Sequence, residues 1–120
     1  MAHFRFEDLE IWKMAIELSD RLFDIADDLR EQKRFRFAEQ LDGAGLSISN
    51  NISEGAGSYS DPDFANFLKY AHRSIYECVN VLLILERRKL ISESIKEELF
   101  PKLELLSRKL TNFRKTLLKE

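Results

Sequence analysis

A chain of 120 residues, 44% of them hydrophobic, is long enough for one domain with an ordinary core and needs neither disulfides nor metals to hold it. Its 4 glycines and 2 prolines are too few to turn a many-stranded sandwich, which points to an all-α protein of a few long helices. A formal net charge of −2 excludes the global positive field of a strongly basic nucleic-acid binder.

The opening MAHFRFEDLE lacks the charged-then-apolar pattern of a signal segment, and the longest apolar run, Val81 to Leu85, is far shorter than a membrane span. The single cysteine, Cys78, cannot pair within the chain and lies in an apolar run, as a core side chain in a reducing compartment would. A cytoplasmic protein with no membrane partner is expected.

From Leu9, the residues Ile11, Ala15, Leu18, Leu22, Ile25 and Leu29 alternate at spacings of four and three, which keeps one side of a first helix apolar. A second series, Trp12, Ile16, Phe23 and Ala26, widens that side beyond what one neighbouring helix requires. The second helix is expected from about Phe35 to Glu54. It contains the string SISNNISEG, Ser47 to Gly55, whose start alternates like a strand. The wider series Leu41, Gly45, Ile48, Ile52, Gly55 restores the helical period and places the string at the helix's end. Gly55 and Gly57 then offer a stop, since glycine accepts the left-handed conformation common just past a helix.

The third helix is expected to open with Asp61 as N-cap and Pro62 in the first turn. Phe64, Leu68, Ala71, Ile75, Cys78, Leu82 and Leu85 form its stripe, and its later half, CVNVLLIL, is apolar nearly all round, so other helices or another subunit must cover it. The fourth helix is expected from Ser94, with Glu97 completing a capping box, and carries Leu99, Leu103, Leu106, Leu110, Phe113 and Leu117. Pro101 removes one backbone hydrogen bond, so a kink or a restart is expected there with helix on both sides. Helices of roughly 20–28 residues, about 30–42 Å long, joined by short connectors, make an antiparallel up-down-up-down four-helix bundle forming a single domain over residues 1–120.

Chemistry is sparse. A nucleophilic serine in SISNNISEG needs a base, and the only histidines are His3, in a tail expected to fray, and His72, which could approach helix two. The competing reading is a structural polar cluster in which Ser47, Asn51 and Glu54 meet Ser74 and Glu77 of helix three and fix the pairing of the two helices. The Gly-x-Gly of DGAGLS lacks the lysine ending and preceding strand of a phosphate loop. Gly43, Ala44 and Gly45 read instead as small residues that let helices approach. Neither histidine follows a glutamate by three residues, which excludes the di-iron pattern of carboxylate bundles. No catalytic residue, metal ligand or cofactor is assigned.

Charge is uneven. Residues 1–32 hold 4 basic and 9 acidic side chains, whereas residues 101–120 hold 6 basic and 2 acidic. Arg108, Lys109, Arg114, Lys115 and Lys119 form a candidate nucleic-acid-binding strip, with Arg108, Lys115 and Lys119 on one face. Compensation of the helix dipole is the competing explanation, strengthened because no aromatic residue interleaves an exposed basic run.

Three strings in order, FEDLEIWKMAIEL (Phe6 to Leu18), SISNNISEG and FLKYAHRSIYE (Phe67 to Glu77), resemble the signatures of the four-helix-bundle family encoded by intervening sequences in bacterial 23S ribosomal RNA genes. The resemblance covers nearly the whole chain. It implies an antiparallel bundle that assembles into a closed homo-oligomer, typically a pentamer, with no established catalytic activity. A related branch, the accessory protein of diversity-generating retroelements, implies RNA or DNA and a protein as further partners. The likeness departs where family members commonly carry arginine around the second motif. Here those places read Asp42-Gly43 and Ala56-Gly57-Ser58, which forfeits counterion release there. Two readings follow: a ribonucleoprotein accessory factor using the basic end of helix four, or a protein-binding scaffold whose cations pair across subunits with Asp20, Asp24, Asp27 and Glu31.

Overall fold

The computed structural model describes residues 2–119. A 3₁₀ turn, Arg5–Asp8, precedes four helices: α1 (Glu10–Glu31), α2 (Phe35–Ala56), α3 (Asp61–Arg87) and α4 (Glu93–Leu118). Each helix packs most extensively on its neighbour in sequence, while α1 and α4 touch much less. The result is an antiparallel four-helix bundle drawn out to 44 × 34 × 20 Å, flattened rather than square in section because the seam between its first and last helices is open. Two ion pairs cross that seam, Arg21 Nε to Glu98 Oε2 at 2.9 Å and Lys109 Nζ to Glu10 Oε1 at 2.9 Å. Only the second joins the acidic beginning of the chain to its basic end; in the first the signs are reversed.

The apolar periodicity places the core where the spacing requires it. Leu22, Ile48, Ile52, Leu68, Ile75, Leu82, Leu103 and Leu106 are all fully buried. Trp12 packs against this core and meets Phe6 edge-on at 5.2 Å between ring centroids, so the N-terminal segment is seated rather than frayed, with His3 Nε2 3.0 Å from Asp8 Oδ2. That carboxylate raises the His3 pKa above its ordinary value, mainly through their hydrogen bond.

Helix ends depart from expectation by one or two residues. Ser60, not Asp61, caps α3, its hydroxyl accepting from the Asp63 N–H at 3.2 Å, and Pro62 falls at the second helical position. At α4 the flanking residue is Ser92 rather than Ser94, and no capping box forms because the residue three on from Ser92 is Ile95; the Ser92 and Ser94 hydroxyls bond each other at 2.7 Å. Pro101 causes no restart: α4 runs unbroken through it, and Pro101 lies on the exposed side, where water can satisfy the carbonyl it frees. Helix α2 extends two residues further than expected, to Ala56.

No glycine takes the left-handed conformation; Lys33, Lys89 and Lys119 do, at φ of 63°, 61° and 58°. Gly57 closes α2 at φ −84°. After α1 the Arg34 N–H bonds the Leu29 carbonyl at 2.8 Å and the Lys33 N–H bonds that of Arg30 at 2.9 Å; after α3 the Leu90 and Lys89 N–H groups bond Leu85 and Glu86 in the same way, at 2.8 and 2.9 Å. Both are Schellman closures with lysine where glycine is the usual occupant. Lys89→Gly and Lys33→Gly are each expected to raise the unfolding free energy by about 0.5–1 kcal/mol in urea titrations, the relief of left-handed strain exceeding glycine's entropic cost.

Candidate nucleic-acid interface

The hydroxyls of Ser47 (α2) and Ser74 (α3) lie 2.8 Å apart, and the Asn51 side-chain amide donates to the Ser47 carbonyl at 2.8 Å and to its hydroxyl oxygen at 3.0 Å. Ser74 is buried, and its hydroxyl also reaches the Tyr70 carbonyl at 3.1 Å. Glu54 and Glu77 stand apart from this cluster: both are exposed and make no side-chain hydrogen bond or ion pair among the described residues. A carboxylate held next to this half-buried contact would lose hydration without a cation to balance it. A second tie joins α1 to α2, where buried Ser19 donates to the Gly45 carbonyl at 2.9 Å. Gly45 itself lies under Leu22 and Phe23, but Gly43 faces open space, so only part of the Gly-Ala-Gly run serves close packing.

Among the described residues no histidine bonds the serines of α2. His72 is turned away from α2 toward α4, lining a cleft with Leu110 and Arg114, while its ring rests 5.0 Å from that of Tyr76. Cys78 is buried, and burial, with a smaller contribution from Glu77, pushes its thiol up to about 12, so it stays protonated and unreactive at neutral pH. Among the described residues no three His, Cys, Asp or Glu side chains converge as a metal site would need.

The basic residues of α4 do not behave as one strip. Lys109 is engaged by Glu10 across the seam, and Arg108 lies 3.5 Å from Glu104 one turn back. Arg114 turns into the α3–α4 groove. Lys115 and Lys119 are exposed and form no ion pair among the described residues. Of the acidic set on α1, all four are exposed; Asp27 pairs with Arg30 of its own helix, whereas Asp20, Asp24 and Glu31 form no ion pair among the described residues.

A basic, aromatic face that sequence reasoning missed lies on α3. Lys69, Tyr70, Arg73 and Tyr76 are exposed there; Tyr76 retains 64% of its accessible surface. Lys69 Nζ sits 5.2 Å from the centre of the Tyr70 ring. The statement that no aromatic interleaves an exposed basic run is therefore corrected: the string KYAHRSIY does so, and its alternation with the core positions Ala71 and Ile75 disguises it as part of a helical stripe. Alongside, an apolar groove between α3 and α4 of about 490 Å³ is lined by Tyr76, Val79, Phe100 and Pro101.

Among the described residues no helix is long and apolar enough to cross a membrane. Residues 7–112 match the family described as 23S rRNA-intervening sequence protein. The fold is similar to the crystal structure of a protein of unknown function from the S23 ribosomal protein family of Bacteroides thetaiotaomicron, with a TM-score of 0.67 and 26% identity over 91% of this chain and 95% of that one. No curated protein matches the sequence.

Proposed function

Since the chain belongs to the 23S rRNA-intervening sequence protein family, we propose that it is a non-enzymatic, cytoplasmic accessory protein that self-associates, as a pentamer by family likeness, and presents repeated basic and aromatic faces to RNA or DNA. The observation that carries this reading is the pairing of exposed cations with exposed aromatic rings on α3, Lys69 and Arg73 beside Tyr70 and Tyr76, with Lys115 and Lys119 at the end of α4 adding charge. Cations without carboxylate partners release counterions on meeting phosphates, and a tyrosine face stacks on any base. A slightly acidic subunit with a local basic face binds weakly alone; repetition around a ring adds the weak contacts by avidity.

The test is a salt titration of binding to a structured RNA and to a DNA duplex. The logarithm of affinity is expected to fall linearly with the logarithm of salt concentration, by about 0.9 per duplex phosphate contacted, and Lys115→Ala with Lys119→Ala is expected to make that slope shallower. Absence of binding at low salt removes the proposal.

The apolar groove favours a second reading, a protein-binding oligomeric scaffold without nucleic-acid affinity. Under it the free cations pair with Asp20, Asp24 and Glu31 of adjacent subunits, and oligomerisation weakens with salt while nucleic acid has no effect. In either reading light scattering at micromolar concentration reports an oligomer, and a monomer contradicts both.

A further inference from the structure

Nearer the end of α4, a second, smaller cleft of about 260 Å³ between α3 and α4 is lined by Leu68, Lys69, His72, Leu110, Thr111 and Arg114. No carboxylate lines it, and neither Lys69 nor Arg114 forms an ion pair among the described residues. The Nε atom of Arg114 is buried there and has no hydrogen-bond partner among those residues. A guanidinium held beside apolar side chains gains from an acceptor placed in the cleft, because a charge-assisted hydrogen bond is stronger away from bulk water.

Dipole compensation does not explain the arrangement. The unpaired carbonyls that close α4 belong to its last turn, beyond Arg114, whereas a helical side chain leans toward the N-terminus. Arg114 accordingly lies against Leu110 and Thr111, one turn back from those carbonyls. The Thr111 hydroxyl is already committed to the Ser107 carbonyl at 3.0 Å, which leaves Lys69, His72 and Arg114 as the donors facing the cleft.

We infer that this cleft seats a phosphate oxyanion. The Arg114 fork matches two oxygens of a tetrahedral anion, Lys69 supplies a point charge, and the imidazole of His72 adds a third donor, while Leu68 and Leu110 keep water from one side and strengthen the attraction. The inference rests on the nucleic-acid reading only for the source of the phosphate, which in that reading is a backbone phosphodiester, with the Tyr76 ring beside His72 available to stack an adjoining base.

The experiment follows the Arg114 Nε–H resonance by ¹H–¹⁵N NMR on the full chain, in one arm against inorganic phosphate and in the other against a single-stranded RNA oligonucleotide. Both additions are expected to shift it saturably. Arg114→Gln is expected to weaken phosphate binding by about tenfold or more, and Lys69→Gln, an exposed change that leaves the core intact, to weaken it as well. A response to phosphate alone, with no RNA binding, keeps the oxyanion seat and removes the nucleic-acid reading. RNA binding that leaves the resonance unmoved, with affinity unchanged in Arg114→Gln and Lys69→Gln, overturns the seat and keeps the nucleic-acid reading. No shift with either addition overturns the seat.

Discussion

Ile52→Ala is expected to lower the unfolding free energy by about 2–5 kcal/mol, read as a lower urea midpoint with an unchanged slope. Ile52 is fully buried, one of the largest side chains with no accessible surface, and belongs to the single core cluster that all four helices share. Truncation to the β-carbon removes three carbons from that cluster and leaves a void that rigid helix backbones can only partly close. The same substitution separates the two readings of SISNNISEG. In a loop or an edge strand, Ile52 would be half exposed and its truncation would change stability by less than about 1 kcal/mol. A small effect would mean that this segment does not lie inside the bundle.

The second large effect comes from adding an atom. A β-carbon built on Gly55 falls 2.8 Å from the Phe67 β-carbon and 2.9 Å from Phe64 Cδ1. The Phe64 ring cannot easily swing aside, because it is 3% exposed and packs against Phe113 at 5.3 Å between centroids. Gly55→Ala is therefore expected to destabilise by about 1–3 kcal/mol even though alanine is the better helix former. Gly43 supplies the opposite control on the same helix: nothing lies within 4 Å of its added β-carbon, so Gly43→Ala is expected to stabilise by about 1 kcal/mol. Thermal melts of the two variants should move in opposite directions, and movement in the same direction would contradict the α2–α3 contact.

These glycines also mark the boundary of what the sequence makes legible. The four-three spacing identifies all four helices because it follows from the 3.6-residue turn and each apolar stripe has to be buried. It cannot say why a glycine is present. Gly55 and Gly57 read as a stop because glycine commonly closes helices, yet Gly55 lies within α2 under two phenylalanines from another helix, and the left-handed closures fall to lysines. Periodicity likewise gives the buried face of each helix but not which neighbour flanks which side, since that depends on the hand in which the bundle is wound. His72 was therefore compatible with α2 until the fold turned it to α4. The α3–α4 cleft was hidden for a related reason: Lys69 and Arg114 are far apart in sequence, and each alone resembles an ordinary solvated cation. In SISNNISEG, Ser47 and Asn51 were legible because one helical turn separates them, but the spacing that joined Glu54 to them carried no information about the carboxylate's hydration.

The open seam also bears on how the chain reaches this state. Because α1 meets α2, α2 meets α3 and α3 meets α4 far more than α1 meets α4, most native encounters join segments linked by a few residues, and little loop-closure entropy is lost before each is made. Such low contact order belongs to rapid folders, on timescales from microseconds to milliseconds. The chain can zip from one hairpin to the next, with the meeting of its two outermost helices left until last.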